Sequence, residues 1–319
     1  MNILITGACG LLGAHITAAL SRNHNVVGID RHPWWGDQPA NVLLGELAAP
    51  GFIRDVMATV APDILIHCAA MTNVDACERD PALAYASNAD ITRDIARAIP
   101  AGCQLVYIAT DGIFVGDTPF ATEELLPCPR TVYGRSKLYG EWNIKLATSN
   151  HLIVRTNFYG WSSGRKQTSA EWLYHALETG ESITLFDDFF FTPIYVVDFV
   201  TRLDLLMEGG HRGTFHLCGK ERISKHEFGS LMAKAAGFSM KHVRRGSIRD
   251  VQLPAPRPKD MSLDSERFRK AIGVKVPECM PGLRRFLSDR TRPLSARSGG
   301  FEEDFSQVAG LVNAARPSD

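Results

Sequence analysis

Three glycines near the amino terminus, Gly7, Gly10 and Gly13, are separated by two residues each. They stand between a short apolar run and a helical pattern, which predicts a turn between a strand and a helix. In such a turn the first glycine allows the bend, the second lets the backbone approach a pyrophosphate, and the third lets helix and strand pack closely. The helix N-terminus then offers free N–H groups to the phosphates, so the loop predicts a dinucleotide site. Three further loop residues are expected to contact the dinucleotide: Cys9, Leu11 and Leu12.

Asp30 ends the second apolar run, about 20 residues beyond the glycine loop, where dinucleotide-binding folds carry a carboxylate. A carboxylate there accepts hydrogen bonds from the adenosine ribose hydroxyls and repels a 2′-phosphate, which favours NAD. Arg31 follows directly and could pair with a 2′-phosphate, which favours NADP. The two signals conflict, and the sequence ranks NAD slightly ahead of NADP.

Tyr133 and Lys137 are four residues apart in a helical pattern, so their side chains share one helix face. An ordinary tyrosine has a pKa near ~10 and is protonated at neutral pH. A nearby ammonium and an oxidised nicotinamide are expected to favour the phenolate. Tyr133 could then give a proton to a carbonyl oxygen or take one from an alcohol. Thr110, at the end of a predicted strand, could hydrogen-bond the same oxygen.

Strands that alternate with helices must position these side chains. Apolar runs predict strands at 2–6, 25–29, 41–44, 64–67, 104–109 and 152–155, and helical spacing predicts helices at 11–22, 52–60, 81–99 and 131–148. Continuous apolar strands separated by helices indicate an α/β fold, a Rossmann-like doubly wound parallel sheet covered on both faces. The ligand crevice of such a sheet lies beyond the carboxyl ends of its strands.

The pattern becomes looser in the second half of the chain, which predicts a smaller C-terminal substrate lobe. Residues 1–160 are interpreted as the dinucleotide-binding domain, 161–290 as the substrate-binding lobe and 291–319 as a polar tail. The lobe is expected to hold helices at 169–178, 197–207 and 225–236 and strands at 182–185 and 214–217, with some segments returning to the first domain. The tail could form an amphipathic helix at 301–315 or stay mobile.

The composition excludes several classes of protein. Lys plus Arg and Asp plus Glu each number 35 in 319 residues, and this balance argues against general binding to nucleic acid or anionic membranes. No apolar run approaches the ~20 residues of a membrane span, and the first residues lack the basic region of a signal peptide. The 7 cysteines form no Cys-x-x-Cys pair, so neither a zinc site nor disulfides are expected, and the predicted location is cytoplasmic.

Further motifs make the chain similar to the extended short-chain dehydrogenases/reductases, and more narrowly to the dTDP-4-dehydrorhamnose reductase group. The resemblance covers roughly residues 1–288. It rests on segments 7–13, 69–75 with Glu78, 85–89, 109–114, 129–141, 154–160, 192–198 and 257–264.

The resemblance implies a role for each matching residue. Thr110, Tyr133 and Lys137 would form the catalytic triad, and Lys137 would also bind the nicotinamide ribose. Further cofactor contacts are implied at Glu46, Leu47, Cys68, Ala69, Ala70, Thr72, Asn157 and Phe158. Substrate contacts are implied at Thr72, Val74, Thr110, Asp111, Asn157 and Arg257. A homodimer would fit the group; some of its members use Mg²⁺ at a dimer interface, but no residue here matches such a site and no metal is predicted.

The chain departs from the group after the fifth strand, where Ala109 and Gly112 replace the usual serine and tyrosine. Ala109 leaves Thr110 as the hydroxyl at this point, and Gly112 opens space beside the substrate. Relatives with dehydratase chemistry tend to carry Asp-Glu after the threonine. Here Asp111 is followed by Gly112, which favours simple carbonyl reduction over water elimination.

A basic segment at 241–270, with nine Lys or Arg and four Asp or Glu, could bind the diphosphate of a nucleotide-sugar. Arg257, between Pro256 and Pro258, is the best candidate because a guanidinium grips phosphate oxygens in a fork. The alternative interpretation is a solvated basic face.

These observations favour an NAD(P)-dependent oxidoreductase that reduces the 4-keto group of a nucleotide-activated deoxysugar. Hydride would come from the nicotinamide and the proton from Tyr133. One alternative is a nucleotide-sugar epimerase of the same fold, and another is a non-catalytic, NADP-binding regulatory subunit similar to that of methionine adenosyltransferase.

Overall fold

A computed structural model describes residues 1–34, 40–162, 164 and 166–297. The helix expected at 301–315 lies outside this range. The described strands are β1 (Asn2–Thr6), β2 (Asn25–Asp30), β3 (Asn41–Leu44), β4 (Ile64–His67), β5 (Gln104–Thr110), β6 (His151–Thr156), β7 (Phe158–Tyr159), β8 (Ile183–Phe186), β9 (Phe190–Phe191), β10 (Ile194–Tyr195), β11 (Gly213–His216), β12 (Ile223–Ser224) and β13 (Val243–Gly246).

The helices surround these strands. Their bounds are α1 (Leu11–Leu20), α2 (Phe52–Val60), α3 (Val74–Arg79), α4 (Pro81–Tyr85), α5 (Ile91–Ala98), α6 (Val132–Ala147), α7 (Ser169–Thr179), α8 (Val196–Glu208), α9 (Lys225–Ala236), α10 (Glu266–Ile272), α11 (Cys279–Ser288) and α12 (Leu294–Arg297). A π-helical turn (Ala86–Asp90) joins α4 to α5, and short 3₁₀ turns occur at Asp111–Ile113 and Ile248–Asp250. In the described residues no helix is both long enough and apolar enough to cross a membrane.

Seven parallel strands form the central sheet in the order β11-β6-β5-β4-β1-β2-β3. The direction of winding reverses between β1 and β4, and ligands of doubly wound sheets bind at that point. The predicted α/β fold, a Rossmann-like doubly wound parallel sheet, is therefore confirmed.

The two faces of the sheet bury alternate residues of the same strands, because side chains of a strand point to opposite faces in turn. Ile3 and Ile5 belong to one apolar cluster with residues of α1 and α8. Leu4 belongs to the other cluster, with residues of α2, α5 and α6. All seven residues of β5 are buried, which explains why its sequence is a continuous apolar run without polar alternation.

Most predicted elements agree with the structure to within one or two residues, and one differs in a way that matters. The helix expected at 81–99 contains the π-helical turn at Ala86–Asp90, which changes the phase of the helix face at Asn88. The strand expected at 214–217 is β11, which pairs with β6 at the edge of the central sheet. Sequence patterns did not predict the helices α3, α10, α11 and α12 or the strands β7, β9, β10, β12 and β13.

Small strand pairs and capped helices build the second half. Parallel β8 and β13 form one pair, and antiparallel β9 and β12 form another. Helix α9 begins with a capping box in which the Ser224 side chain accepts from the Glu227 amide and the Glu227 carboxylate accepts from the Ser224 amide. This cap fixes Lys225 as the first residue of the helix.

Candidate active site

The glycine loop forms a close-packed cradle between β1 and α1. Gly7 has φ +69°, and a Cβ atom added there would lie 2.7 Å from the Ala69 amide nitrogen. A Cβ atom added at Gly13 would lie 2.1 Å from the Gly7 carbonyl oxygen. Gly10 is the N-cap of α1, and no side-chain hydrogen bond caps this helix start. This cradle fits the pyrophosphate of a dinucleotide.

Asp30 ends β2 beside this loop. Its Oδ2 accepts a hydrogen bond from the Cys9 amide at 2.9 Å, and its Oδ1 accepts one from the His32 amide at 3.0 Å. A carboxylate at the end of this strand is the type of group that accepts hydrogen bonds from ribose hydroxyls. Asp30 therefore both shapes the glycine loop and stands where the sequence predicts the adenosine ribose.

The outer cofactor positions lie along the same edge of the sheet. Arg31 and Glu46, which follow β2 and β3, are exposed, and Leu47 is half-buried. Thr72 is exposed and Val74, the first residue of α3, is half-buried. The exposed side chains of Arg31, Glu46 and Thr72 are accessible to a ligand that enters from outside.

Lys137 is buried in the centre of the site. Its Nζ donates to the Ile108 carbonyl oxygen at 2.8 Å and lies 4.0 Å from the centroid of the Tyr107 ring. Burial lowers the pKa of the Lys137 ammonium to about 7, although the carboxylate of Glu141 opposes this shift. Cys68, which is half-buried, lies nearby. Burial raises the pKa of its thiol to about 12, and the charge of Lys137 opposes this rise.

The surroundings of Tyr133 favour its protonated form. Burial raises the pKa of its phenol, the charge of Asp111 adds to this rise, and the hydroxyl of Thr110 opposes it. That Lys137 and an oxidised nicotinamide together favour the phenolate stays a prediction. The Lys137 ammonium donates to the Ile108 carbonyl, and its charge does not offset the burial of the phenol.

Thr110, Asp111 and Asn157 form a hydrogen-bonded chain at the ends of β5 and β6. The Thr110 hydroxyl is 3.1 Å from Asp111 Oδ1, and Asn157 Nδ2 donates to Asp111 Oδ2 at 2.5 Å. Burial raises the pKa of Asp111 to about 6, and the bond from Asn157 and the charge of Lys225 oppose the rise. Gly112 adjoins this chain, and a Cβ atom added there would lie 3.4 Å from the Thr110 hydroxyl oxygen. Half-buried Phe158 follows Asn157.

Two buried contacts that the sequence interpretation missed hold α6 in place. Asn88, in the π-helical turn, donates to Ser136 Oγ at 3.0 Å and accepts from the Met71 amide at 2.8 Å. Arg155 on β6 forms a two-point ion pair with Glu141 of α6, at 2.9 Å and 2.7 Å. Both pairs lie inside the motifs of the resemblance, but no pattern in the sequence assigned them a role.

Arg257 lines a cavity of about 1020 Å³ on the substrate side of the crevice. Its guanidinium donates to Asp75 Oδ2 at 2.8 Å and to the Ala255 carbonyl oxygen at 3.0 Å. Cations outnumber carboxylates in its lining, which includes Arg130, Arg222, Arg249, Arg257 and Lys259 beside Asp117, Asp188 and Asp260. Arg257 is thus placed by a protein carboxylate, a partner that the sequence did not indicate.

The residues expected at the cofactor and the triad therefore meet at one edge of the sheet. Gly7 packs against Ala69, which is followed by half-buried Ala70, and Thr110 lies near Tyr133. In the part of the chain that the structure describes, no group of three or more His, Cys, Asp or Glu side chains could hold a metal ion.

Comparison with known proteins agrees with this arrangement. The family model described as the RmlD substrate binding domain matches residues 1–292. A probable low-salt glycan biosynthesis reductase, Agl14, from Haloferax volcanii is 30% identical over 292 residues, covering 87% of this chain and 94% of that protein. A dTDP-4-dehydrorhamnose reductase from Mycobacterium tuberculosis is 31% identical over 282 residues, covering 85% and 87%.

A solved structure gives the same result for the fold. The dTDP-4-dehydrorhamnose reductase of Bacillus anthracis in complex with NADP has a TM-score of 0.81 and 28% identity, covering 90% of this chain and 98% of that chain. The predicted resemblance is confirmed over nearly the whole described chain. The chain belongs to the RmlD substrate binding domain family of extended short-chain dehydrogenases/reductases.

Proposed function

We propose that the chain is an NAD(P)H-dependent reductase that converts the 4-keto group of a nucleotide-activated deoxysugar into an alcohol. The observation that carries this proposal is the meeting of Thr110, a protonated Tyr133 and a buried Lys137 beside a glycine cradle. The activity named for the relatives from Mycobacterium tuberculosis and Bacillus anthracis supports the same substrate class.

The residues of the chain account for the proton and for the orientation of the substrate. Bound NAD(P)H supplies a hydride to the carbonyl carbon. The Tyr133 phenol gives its proton to the carbonyl oxygen as charge develops there, and solvent then restores the phenol. The Thr110 hydroxyl, which donates to Asp111 Oδ1 at 3.1 Å, turns to donate to the carbonyl oxygen and holds it toward Tyr133. Lys137 holds the nicotinamide ribose, and its charge stabilises the phenolate that remains after the transfer.

The cofactor is NAD(P), and a slight preference for NAD is part of the proposal. The negative charge of Asp30 at the ribose position disfavours a 2′-phosphate, and Arg31 partly offsets this effect. The relative from Bacillus anthracis was solved with NADP, so the preference of this chain has to be measured separately.

The substrate diphosphate is proposed to occupy the cation-rich cavity, with Arg257 as one of its ligands. Asp75 holds the guanidinium of Arg257 and reduces the entropy lost when it binds phosphate oxygens. Thr72, Val74 and Asn157 would contact the sugar between this cavity and Thr110.

The deciding experiment is an assay of NADH and NADPH oxidation in parallel, against a panel of 4-keto nucleotide-sugars. A reductase consumes one cofactor molecule for each alcohol formed. An epimerase interconverts sugars without net consumption, and a regulatory subunit binds NADP without turnover. Either of those two results contradicts the proposal.

Three further features remain proposals: division into domains at about residue 160, a cytoplasmic location and a homodimer. Exposed Tyr139 and Trp142 on α6, whose ring centroids are 5.0 Å apart, offer an apolar surface for a second copy. Sedimentation of the purified chain tests the dimer.

A further inference from the structure

The aromatic ring of Tyr107 lies against the ammonium group of Lys137. Lys137 Nζ is over the face of this ring, 4.0 Å from its centroid, and donates to the carbonyl oxygen of the next strand residue, Ile108, at 2.8 Å. Both contacts come from β5, so one strand holds the cation by an aromatic face and by a backbone acceptor. The sequence interpretation gave Tyr107 no role, because the residue belongs to the continuous apolar run of β5.

Tyr107 is itself held in place by α6. Its side chain is fully buried, and its hydroxyl donates to the Lys137 carbonyl oxygen at 3.4 Å. A Cβ atom added at Gly140, about one turn further along α6, would lie 2.4 Å from this hydroxyl oxygen. The helix therefore packs on the phenol only with glycine at this position, and the ring keeps a fixed place beside the lysine.

His67 of β4 packs on the same ring and is neutral. The two ring centroids are 5.5 Å apart, and burial together with the charge of Lys137 lowers the pKa of His67 to about 3. Thr92 donates its hydroxyl proton to a backbone carbonyl oxygen at 2.8 Å, so His67 Nε2 must donate in its 3.0 Å contact with this hydroxyl. Nδ1 then accepts from the Thr6 hydroxyl at 2.6 Å. The imidazole is thus satisfied without a second proton and does not compete with the ammonium for the Tyr107 ring.

Burial works against the charge of Lys137. It lowers the pKa of the ammonium to about 7, and the charges of Glu141 and Cys68 oppose this fall. Glu141 is also paired with Arg155, so its carboxylate serves two cations. An aromatic face favours the charged form of a nearby amine, because the negative part of the ring quadrupole lies on its faces. The titratable side chains around the ammonium are those of Tyr133 and Glu141 on α6, His67 and Cys68 at the end of β4, and Tyr107 on β5.

We infer that Tyr107 is a positioning residue: the face of its ring keeps the Lys137 side chain charged and in place for the nicotinamide ribose. This inference rests on the proposed function, in which Lys137 holds the ribose and stabilises the Tyr133 phenolate. An ammonium carries three donors, and one of them is bound to Ile108. Because the ring already restrains the side chain, less entropy is lost when the other donors bind the ribose.

The test changes the electron density of the ring and keeps its shape. Wild type is compared with Tyr107→Phe and with trifluorophenylalanine at position 107, whose fluorines withdraw electrons from the ring faces. The pKa of Lys137 is read from the Cε signal of ¹³C-labelled lysine in the ligand-free protein, assigned with Lys137→Met. Tyr107→Phe should keep the pKa near the wild-type value. The trifluorinated ring should lower it by roughly one pH unit, which corresponds to the loss of a desolvated cation–π contact.

Phe215 of β11 provides the matched control, because it belongs to the apolar cluster on the opposite face of the same sheet. Trifluorophenylalanine at position 215 should leave the pKa of Lys137 unchanged. In the reductase assay, the pH above which turnover falls should move down by the same amount as the pKa in the protein fluorinated at position 107. This pH should stay in place for Tyr107→Phe and for the control.

The inference is overturned if the trifluorinated ring leaves the pKa of Lys137 at the value of Tyr107→Phe, or if the control at position 215 lowers it equally. If the trifluorinated protein does not fold, a single ring fluorine at position 107 takes its place, with a proportionally smaller shift expected. A shift of the pKa without a shift of the turnover profile supports the inference and contradicts the role of this charge in the proposed function. If the wild type reduces no 4-keto nucleotide-sugar, the proposed function fails, and the titration of the ligand-free protein decides the inference alone.

Discussion

The buried ion pair between Glu141 and Arg155 gives a quantitative test of how α6 is held against the sheet. The two side chains are 0% and 3% exposed, and two hydrogen bonds of 2.9 Å and 2.7 Å join them. Arg155→Met removes the guanidinium and leaves a carboxylate without its partner in the interior. Breaking a buried pair from one side costs about 3–5 kcal/mol, so we expect the free energy of unfolding to fall by that amount.

Urea denaturation at pH 7 without cofactor measures this loss. Arg93→Met is the matched control, since Arg93 pairs with Asp90 at the surface, where the side chains are 36% and 52% exposed. Such a pair should contribute less than about 1 kcal/mol. The double variant Arg155→Met/Glu141→Leu should recover most of the loss, because no buried charge remains. The reasoning is refuted if Arg155→Met costs no more than the control, or if the double variant is as unstable as the single one.

Three further predictions concern the site. Tyr133→Phe should lower turnover at least ~10²-fold, because the ring still packs but has no proton to give. Cofactor affinity, measured by fluorescence titration, should not change. Normal turnover of this variant contradicts the mechanism. Asp30→Asn should move the NADH/NADPH ratio of kcat/KM toward NADPH, and an unchanged ratio means that Asp30 does not face the ribose. Burial raises the pKa of Asp111 from 3.8 in the unfolded chain to about 6 in the folded protein. The folded protein is therefore most stable, with respect to this group, below pH 3.8, where Asp111 is protonated in both states. This stability is lost as the pH rises through about 6. The free energy of unfolding of Asp111→Asn, measured relative to wild type, should therefore rise by roughly 3 kcal/mol between these two pH values and stay constant above them. If the difference between the two proteins does not change with pH, the pKa shift is contradicted.

The sequence predicts those parts of the site that depend on local pattern. The glycine loop, the strand that ends at Thr110 and the helix that carries Tyr133 and Lys137 are each set by residues within about one element length. Their meeting follows from the rule that parallel strands bring their carboxyl ends to one edge. For this reason the fold and the location of the crevice could be anticipated without coordinates.

What could not be predicted depends on contacts between distant parts of the chain. Arg257 meets Asp75 across 182 positions, and nothing near either residue indicates the partner. The sequence predicts Lys225 only as the first residue of a helix. Its electrostatic interaction with Asp111 arises from the folded structure, because the two residues are far apart in the chain. The surroundings of Lys137 are a third case, because spacing along a helix does not reveal that the lysine donates to a strand carbonyl.

The position of β11 has a consequence for the order in which the chain can complete its fold. This strand pairs with β6 along Leu152–Arg155, yet it is synthesised about 60 residues later, after α7 and α8. Until residue 216 has left the ribosome, β6 is an open edge whose N–H and C=O groups can pair with another chain. A fragment that ends near residue 160 keeps this edge open permanently, whereas one that extends past β11 closes it. The second half of the chain therefore closes an edge of the central sheet that the first half alone leaves open.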